Sequence, residues 1–171
     1  MSETVAEILR DLRAHTASPE DIVARTYERI RASDDPATFI SLRPETEVLS
    51  EARALAATGR TDLPLYGVPV AVKDNIDVAG LPTTAACPAY AYVPQEDAVP
   101  VARLRAAGAL IIGKTNLDQF ATGLVGVRSP YGVPRNPFNA ALSPVANWSR
   151  LVLPMINAPA ARSRATGTAS S

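Results

Sequence analysis

The stretch that most restricts the fold is Leu63-Pro-Leu-Tyr-Gly-Val-Pro-Val-Ala-Val-Lys-Asp-Asn75. At a period of two residues, Val68, Val70 and Val72 fall on one face, and Pro69, Ala71 and Lys73 on the other. Both faces are apolar until Lys73. A strand of that kind belongs inside a sheet covered on both sides. The pattern therefore predicts a strand that carries Lys73 inward. An ammonium there is costly unless it is paired or loses its proton. The chain has only two lysines, Lys73 and Lys114, against many arginines. A sequence that otherwise prefers arginine has kept lysine where an amine able to shift its pKa is useful. From the pattern alone, Lys73 is equally well read as a strand-end lysine that snorkels to water.

At 171 residues the chain has the length of one domain with a real core. With 47% hydrophobic and 20% charged residues and a net charge of zero, nothing global points to nucleic acid or an anionic membrane. No stretch approaches the roughly 20 apolar residues of a membrane span. No secretory leader is evident, so a soluble, cytoplasmic protein is the expectation. The single cysteine, Cys87, excludes an internal disulfide and is read as a small buried thiol.

Helices are expected from Thr4, with Glu7 completing a capping box, from Ser18, and from Pro44 to Gly59. Thr38 to Leu42 is a short strand. Asp97 is expected to cap a helix that ends at Gly108. Ala109 to Ile112 reads as a second buried strand, Gly113-Lys-Thr-Asn116 as a turn, and Leu117 to Thr122 as a short helix. Strand, helix, strand with short turns is the grammar of a parallel α/β sheet. Gly123 to Pro137 is too rich in glycine and proline for a regular element. A loop of that kind beyond the strand ends of an α/β sheet is where ligands usually bind. Gly123 and Gly126 can let backbone approach a substrate, or merely permit the turn. Arg128 and Tyr131 lie in the same loop; an anionic substrate would suit Arg128, and a solvated arginine is the equal alternative. Lys114 lacks the earlier glycine of a phosphate loop and is read as a turn lysine. His15 is read as a cation at a helix C-terminus. The acids Glu96, Asp97 and Asp118 lack metal-ligand spacing.

Gly67-Val-Pro-Val-Ala-Val-Lys-Asp-Asn75 resembles the lysine motif of the amidase signature family. Gly80-Leu-Pro-Thr-Thr84, Arg103-Leu-Arg-Ala-Ala-Gly-Ala109 and Gly113-Lys-Thr-Asn116 match it in order and spacing. Asn116 to Gly132 is more similar to the allophanate hydrolases of that family than to its amidotransferase or fatty-amide branches. The resemblance covers about residues 18–140. It implies a mixed sheet covered by helices, present here only as its N-terminal part. It implies hydrolysis of a small-molecule amide, such as allophanate in urea breakdown, with no metal or organic cofactor. Intact members of the family commonly dimerise. In the implied mechanism a serine attacks the carbonyl, and a second serine relays its proton to a buried neutral lysine. Backbone amides of a Gly/Ser-rich loop hold the oxyanion. Lys73 matches that lysine; Asp74 and Asn75 are expected to fix local backbone.

After Phe138 the family continues into a Gly/Ser-rich run, whereas this chain reads Asn139-Ala-Ala-Leu-Ser-Pro-Val-Ala-Asn-Trp-Ser-Arg150. The only glycine beyond Gly132 is Gly167, and no acid follows Asp118. Ser143, Ser149, Ser163, Ser170 and Ser171 lack the glycine context of either catalytic serine. The expectation is a partial amidase domain over 1–141, with helices over 1–60 and the lysine strand and α/β start over 61–141. Residues 142–171 are expected to be a disordered, non-family tail produced by a frameshift or a foreign segment. A chain of that composition is expected to be idle as an amidase. The alternatives are a non-catalytic remnant or interaction fragment, a general amidase, or the amidase subunit of a transamidosome.

Overall fold

The structure is a computed structural model and describes residues 3–123 and 126–135. The expected non-family tail, and the serines in it, lie outside the described residues.

The helices begin where side chains can satisfy their orphan amides. In α1, Val5–Arg13, Thr4 and Glu7 form the expected capping box, with the Thr4 N–H donating to the Glu7 carboxylate at 2.7 Å. In α2, Pro19–Ser33, Ser18 and Asp21 make a second box. The short strand β1 is Phe39–Leu42, and α3 is Glu45–Ala57. The lysine strand, β2, is Pro69–Lys73. A long connection follows, with one 3-10 turn at Pro88–Tyr90, then α4, Val99–Ala106, and β3, Leu110–Thr115.

The sheet order is β1-β3-β2. The strands β2 and β3 pair in parallel, as the strand–helix–strand reading requires, with Lys73 opposite Thr115. β1 runs antiparallel to β3, so the sheet is mixed. Helices cover both faces. On one, Val23, Tyr27, Val48 and Ala52 of α2 and α3 pack on Ala71, Leu110 and Ile112. On the other, Val101 of α4 joins Val70, Val72, Val78 and Ile111. The alternation of β2 across two apolar layers is thus what its sequence demanded. Val68, just before the strand, packs instead with Ile8, Leu12, Ile22 and Tyr66.

Three local expectations are corrected. Asp97 does not cap α4; the N-cap is Ala98, without a side-chain bond. A cap at 97 would have only the amide of Val99 to accept from, because Pro100, the other usual donor, has none. Asp97 instead accepts from the Ala79 N–H at 2.8 Å and from Arg105 Nε at 2.9 Å, which ties the loop after β2 to α4. Gly113-Lys-Thr is not a turn, because β3 runs through it to Thr115 and is buried throughout. Leu117 to Thr122 is no helix beyond a 3-10 turn at Gln119–Ala121, and Phe120 and Ala121 take left-handed φ values of 51° and 56°.

Gly113 explains how β1 reaches β3. A Cβ there would drive into the Ser41 carbonyl oxygen and crowd Leu42. Beyond β1, Arg43 continues the ladder: its N–H donates to the Ile112 carbonyl at 3.0 Å and its guanidinium to the Ile111 carbonyl at 2.9 Å. Two bonds to Glu51 lock the guanidinium to α3. The Tyr27 hydroxyl donates to the Arg43 carbonyl at 2.8 Å, and burial pushes its pKa up to about 12.

Gly113→Ala is expected to cost about 1–3 kcal/mol, the range for overpacking a filled site, read as a lower urea midpoint. Tyr27 is protonated in the fold to a higher pH than in the unfolded chain. Its contribution is fully present below the unfolded tyrosine pKa of about 10 and is lost as pH rises through about 12. Absorbance titration of Tyr27→Phe against the parent should show one high-pH phenolate transition missing.

Candidate active site

The C-terminal ends of β2 and β3 lie side by side, the place where α/β sheets bind ligands. Lys73 ends β2 there. Its side chain is exposed, not carried inward as its strand pattern suggested. The helical cover of β2 extends over Val70, Ala71 and Val72 and stops before Lys73. The buried lysine is the other one. Lys114 is 0% exposed, which also corrects its reading as a turn lysine.

Lys114 enters from β3 and crosses beneath the end of β2. Its ammonium donates to Thr83 Oγ1 at 3.0 Å, to the Pro82 carbonyl at 3.1 Å and, more weakly, to the Asp74 carbonyl at 3.4 Å. Asp74 Oδ1 lies 3.5 Å from it, and the Asp74 side chain is likewise sealed from solvent. The other carboxylate oxygen accepts from the Thr84 N–H at 2.9 Å and from the Thr84 hydroxyl at 2.6 Å. Asp74 donates its own N–H to the Thr115 carbonyl at 3.0 Å. Burial pushes the Lys114 pKa down, opposed by the attraction of Asp74. Asp74 fixes backbone, as expected from its motif.

The loop that Asp74 grips is strained. Ala85 and Ala86 have φ values of 50° and 55°, unfavourable for residues with a Cβ. Each such residue costs on the order of 1–3 kcal/mol and persists only where its surroundings enforce it. Enforcement comes from Thr84, whose hydroxyl also accepts from the Ala86 N–H at 3.1 Å. The Phe120 N–H donates to the Ala85 carbonyl at 2.9 Å, joining two left-handed segments.

The two polar residues that follow at alternate positions hold the glycine loop. Asn116 donates from Nδ2 to the carbonyls of Ala37 and Gly132, and its Oδ1 accepts from Ser129 Oγ. Asp118 accepts from the Gly126 N–H at 2.9 Å and the Arg128 N–H at 2.7 Å. A Cβ on Gly123 would strike the Asp118 carboxylate, so that glycine is needed for a close approach within the chain. Arg128 is exposed and Tyr131 half-buried on the same loop. Gly123, Gly126 and Arg128 are gathered around the Asp118 carboxylate, while the Tyr131 N–H donates to Ser129 Oγ on the same loop. Sequence reasoning missed Lys114, Thr84, Asn116 and Asp118. Polar residues at 114, 116 and 118, directly after an apolar run, were the available signal. Among the described residues no cluster of His, Cys, Asp or Glu could hold a metal ion, and no helix is long and apolar enough to cross a membrane.

The fold so described, with Lys73 at the C-terminal end of β2, is similar to that of known amidases. The Amidase family model matches residues 21–146, and the chain belongs to that family, the amidase signature enzymes. Urea amidolyase of Saccharomyces cerevisiae is 50% identical over 142 residues, which is 77% of this chain and 8% of that protein. A glutamyl-tRNA(Gln) amidotransferase subunit from Symbiobacterium thermophilum is 43% identical over 143 residues, 80% of this chain and 29% of its own. The solved allophanate hydrolase of Kluyveromyces lactis superposes with a TM-score of 0.67 at 46% identity, covering 82% of this chain and 23% of that one. The chain thus spans less than a third of each of these proteins.

The two lysines differ enough to be told apart chemically. A mild amine-acylating reagent should modify Lys73 and the α-amine of the native protein and leave Lys114 untouched until denaturant is added. Peptide mass mapping checks this, and early labelling of Lys114 would contradict the buried geometry.

Proposed function

We propose that this chain is the lysine-bearing N-terminal segment of an amidase of the allophanate hydrolase kind, with Lys73 as the base. The observation that carries the reading is Lys73 itself: it ends a buried strand within a matched motif, the backbone beside it is fixed by Asp74, and its side chain is exposed. The reaction is hydrolysis of a small linear amide. The nucleophile's hydroxyl proton passes toward the lysine amine as oxygen bonds to carbon, and the proton later goes to the departing nitrogen. A lysine acts as a base only when unprotonated, which needs a dry, covered position. Among the described residues Lys73 is open to water. Arg128 on the glycine loop would suit the carboxylate of an anionic amide such as allophanate.

The higher identity to urea amidolyase than to the amidotransferase protein favours allophanate over a glutamine-derived substrate. The amidotransferase reading is the second one, supported by 43% identity over a similar span. The 171 residues carry no Gly/Ser-rich run after Phe138. We therefore propose that this chain alone does not turn over amides.

Two measurements test the reading. The purified chain with allophanate should release ammonia no faster than a blank; turnover that disappears in Lys73→Ala would overturn the inactivity. A chimera with residues 3–135 in place of the matching segment of a urea amidolyase should hydrolyse allophanate. Lys73→Ala should lower its kcat by about 10²–10⁴, the usual worth of a positioned acid–base group. An unaffected kcat would remove Lys73 from the chemistry.

A further inference from the structure

Lys114 has no place in the proposed chemistry, yet its side chain, like that of Asp74, is fully sealed from solvent. Its ammonium reaches four oxygens on three residues: the Asp74 carboxylate and carbonyl, the Pro82 carbonyl and the Thr83 hydroxyl. Asp74 is the residue after Lys73, and through Oδ2 it grips Thr84, which in turn holds the strained Ala85–Ala86 pair. Among the described residues Asp74 Oδ1 has no hydrogen-bond partner, and it lies 3.5 Å from the ammonium. A methionine or leucine at 114 would fill the same space between β-strands with less desolvation. A cation kept there instead ties polar backbone at one point.

We propose that Lys114 is a positioning residue for Lys73: through the buried Asp74 carboxylate it fixes the end of β2 and the Pro82–Ala86 loop relative to one another. The proposal rests on the reading of Lys73 as the base. Lys114 itself, sealed from solvent, touches no substrate. Its partner Asp74 faces Lys114 and Thr84, so a change at 114 is transmitted to the backbone that carries Lys73. The core formed by Val23, Tyr27, Val48 and Ala52 lies on other elements and need not move.

With two lysines in the chain, selective ¹⁵N,¹³C-lysine labelling gives one signal set for each, and Lys114→Met leaves Lys73 alone. The expected result is a displaced Lys73 amide and Cε resonance. Amide exchange at Asp74 and Thr84 should accelerate roughly tenfold or more, while Val23 and Val48 keep their protection. Lys114→Arg, which retains the cation, should return the Lys73 signals toward their original positions. If Lys114→Met alone does not fold, the neutral pair D74N/K114M removes the unpaired buried charge. It should fold, with Lys73 still displaced. Lys73 signals unmoved in every folded variant would overturn the proposal. So would exchange that quickens equally at Val23 and Lys73, or a neutral pair that does not fold, since either makes Lys114 a requirement of the core. These readouts need no turnover. A chimera that keeps its kcat in Lys73→Ala would defeat the base assignment and leave the coupling between Lys114 and Lys73 measurable.

Discussion

A lysine ammonium and an aspartate carboxylate sit in this chain with no solvent exposure, 3.5 Å apart. Everything at the C-terminal edge of the sheet is arranged around that pair. Isolated, either charge would be intolerable in such surroundings. Together they are acceptable only because nearly every remaining hydrogen-bonding position is filled by the chain: carbonyls at 74 and 82, hydroxyls at 83 and 84, and the Thr84 amide. The pair therefore dictates where the loop after β2 must lie. It also explains how two alanines are held in left-handed conformations that they would not adopt alone.

The helices and the two-sided burial of β2 were legible because each depends on nearby residues. Thr4 with Glu7 announces a helix start by spacing alone, and Val70, Ala71 and Val72 announce two apolar layers by alternation. What was not legible depends on residues far apart in the chain. Lys73 and Lys114 both stand near the ends of apolar strands, and periodicity cannot say which will be sealed. That is decided by Asp74 and Thr83, which meet Lys114 only after β2 and β3 have paired. The same holds for Asp97: its position before a helix suggests a cap, but the helix begins with a proline in its first turn and the carboxylate finds Arg105 and Ala79 instead. Gly113 looks like a turn residue until β1 lies against it.

The family resemblance supplied what local pattern could not, a reason to single out Lys73 over Lys114, and the family membership it suggested is established by the match over residues 21–146. The structure adds a division of labour between two chemically identical side chains. One is spent internally, neutralising a carboxylate and organising a loop. The other is exposed at the end of β2, with its backbone held in the ladder to β3.

The residues Lys114, Asn116 and Asp118 deliver three polar side chains from one short segment to three different neighbours: the loop after β2, the approach to β1, and the glycine loop. Every second residue is an anchor, so the segment behaves as a ruler with marks two residues apart. Gain or loss of a single residue between Gly113 and Asp118 would put Thr115 or Leu117 where a polar group belongs and carry at least one anchor away from its partners. A substitution at 114 or 118 touches one loop, one at 116 touches both the approach to β1 and the glycine loop, and a change of length disturbs more than one anchor at once. The segment is thus far more sensitive to length than to composition.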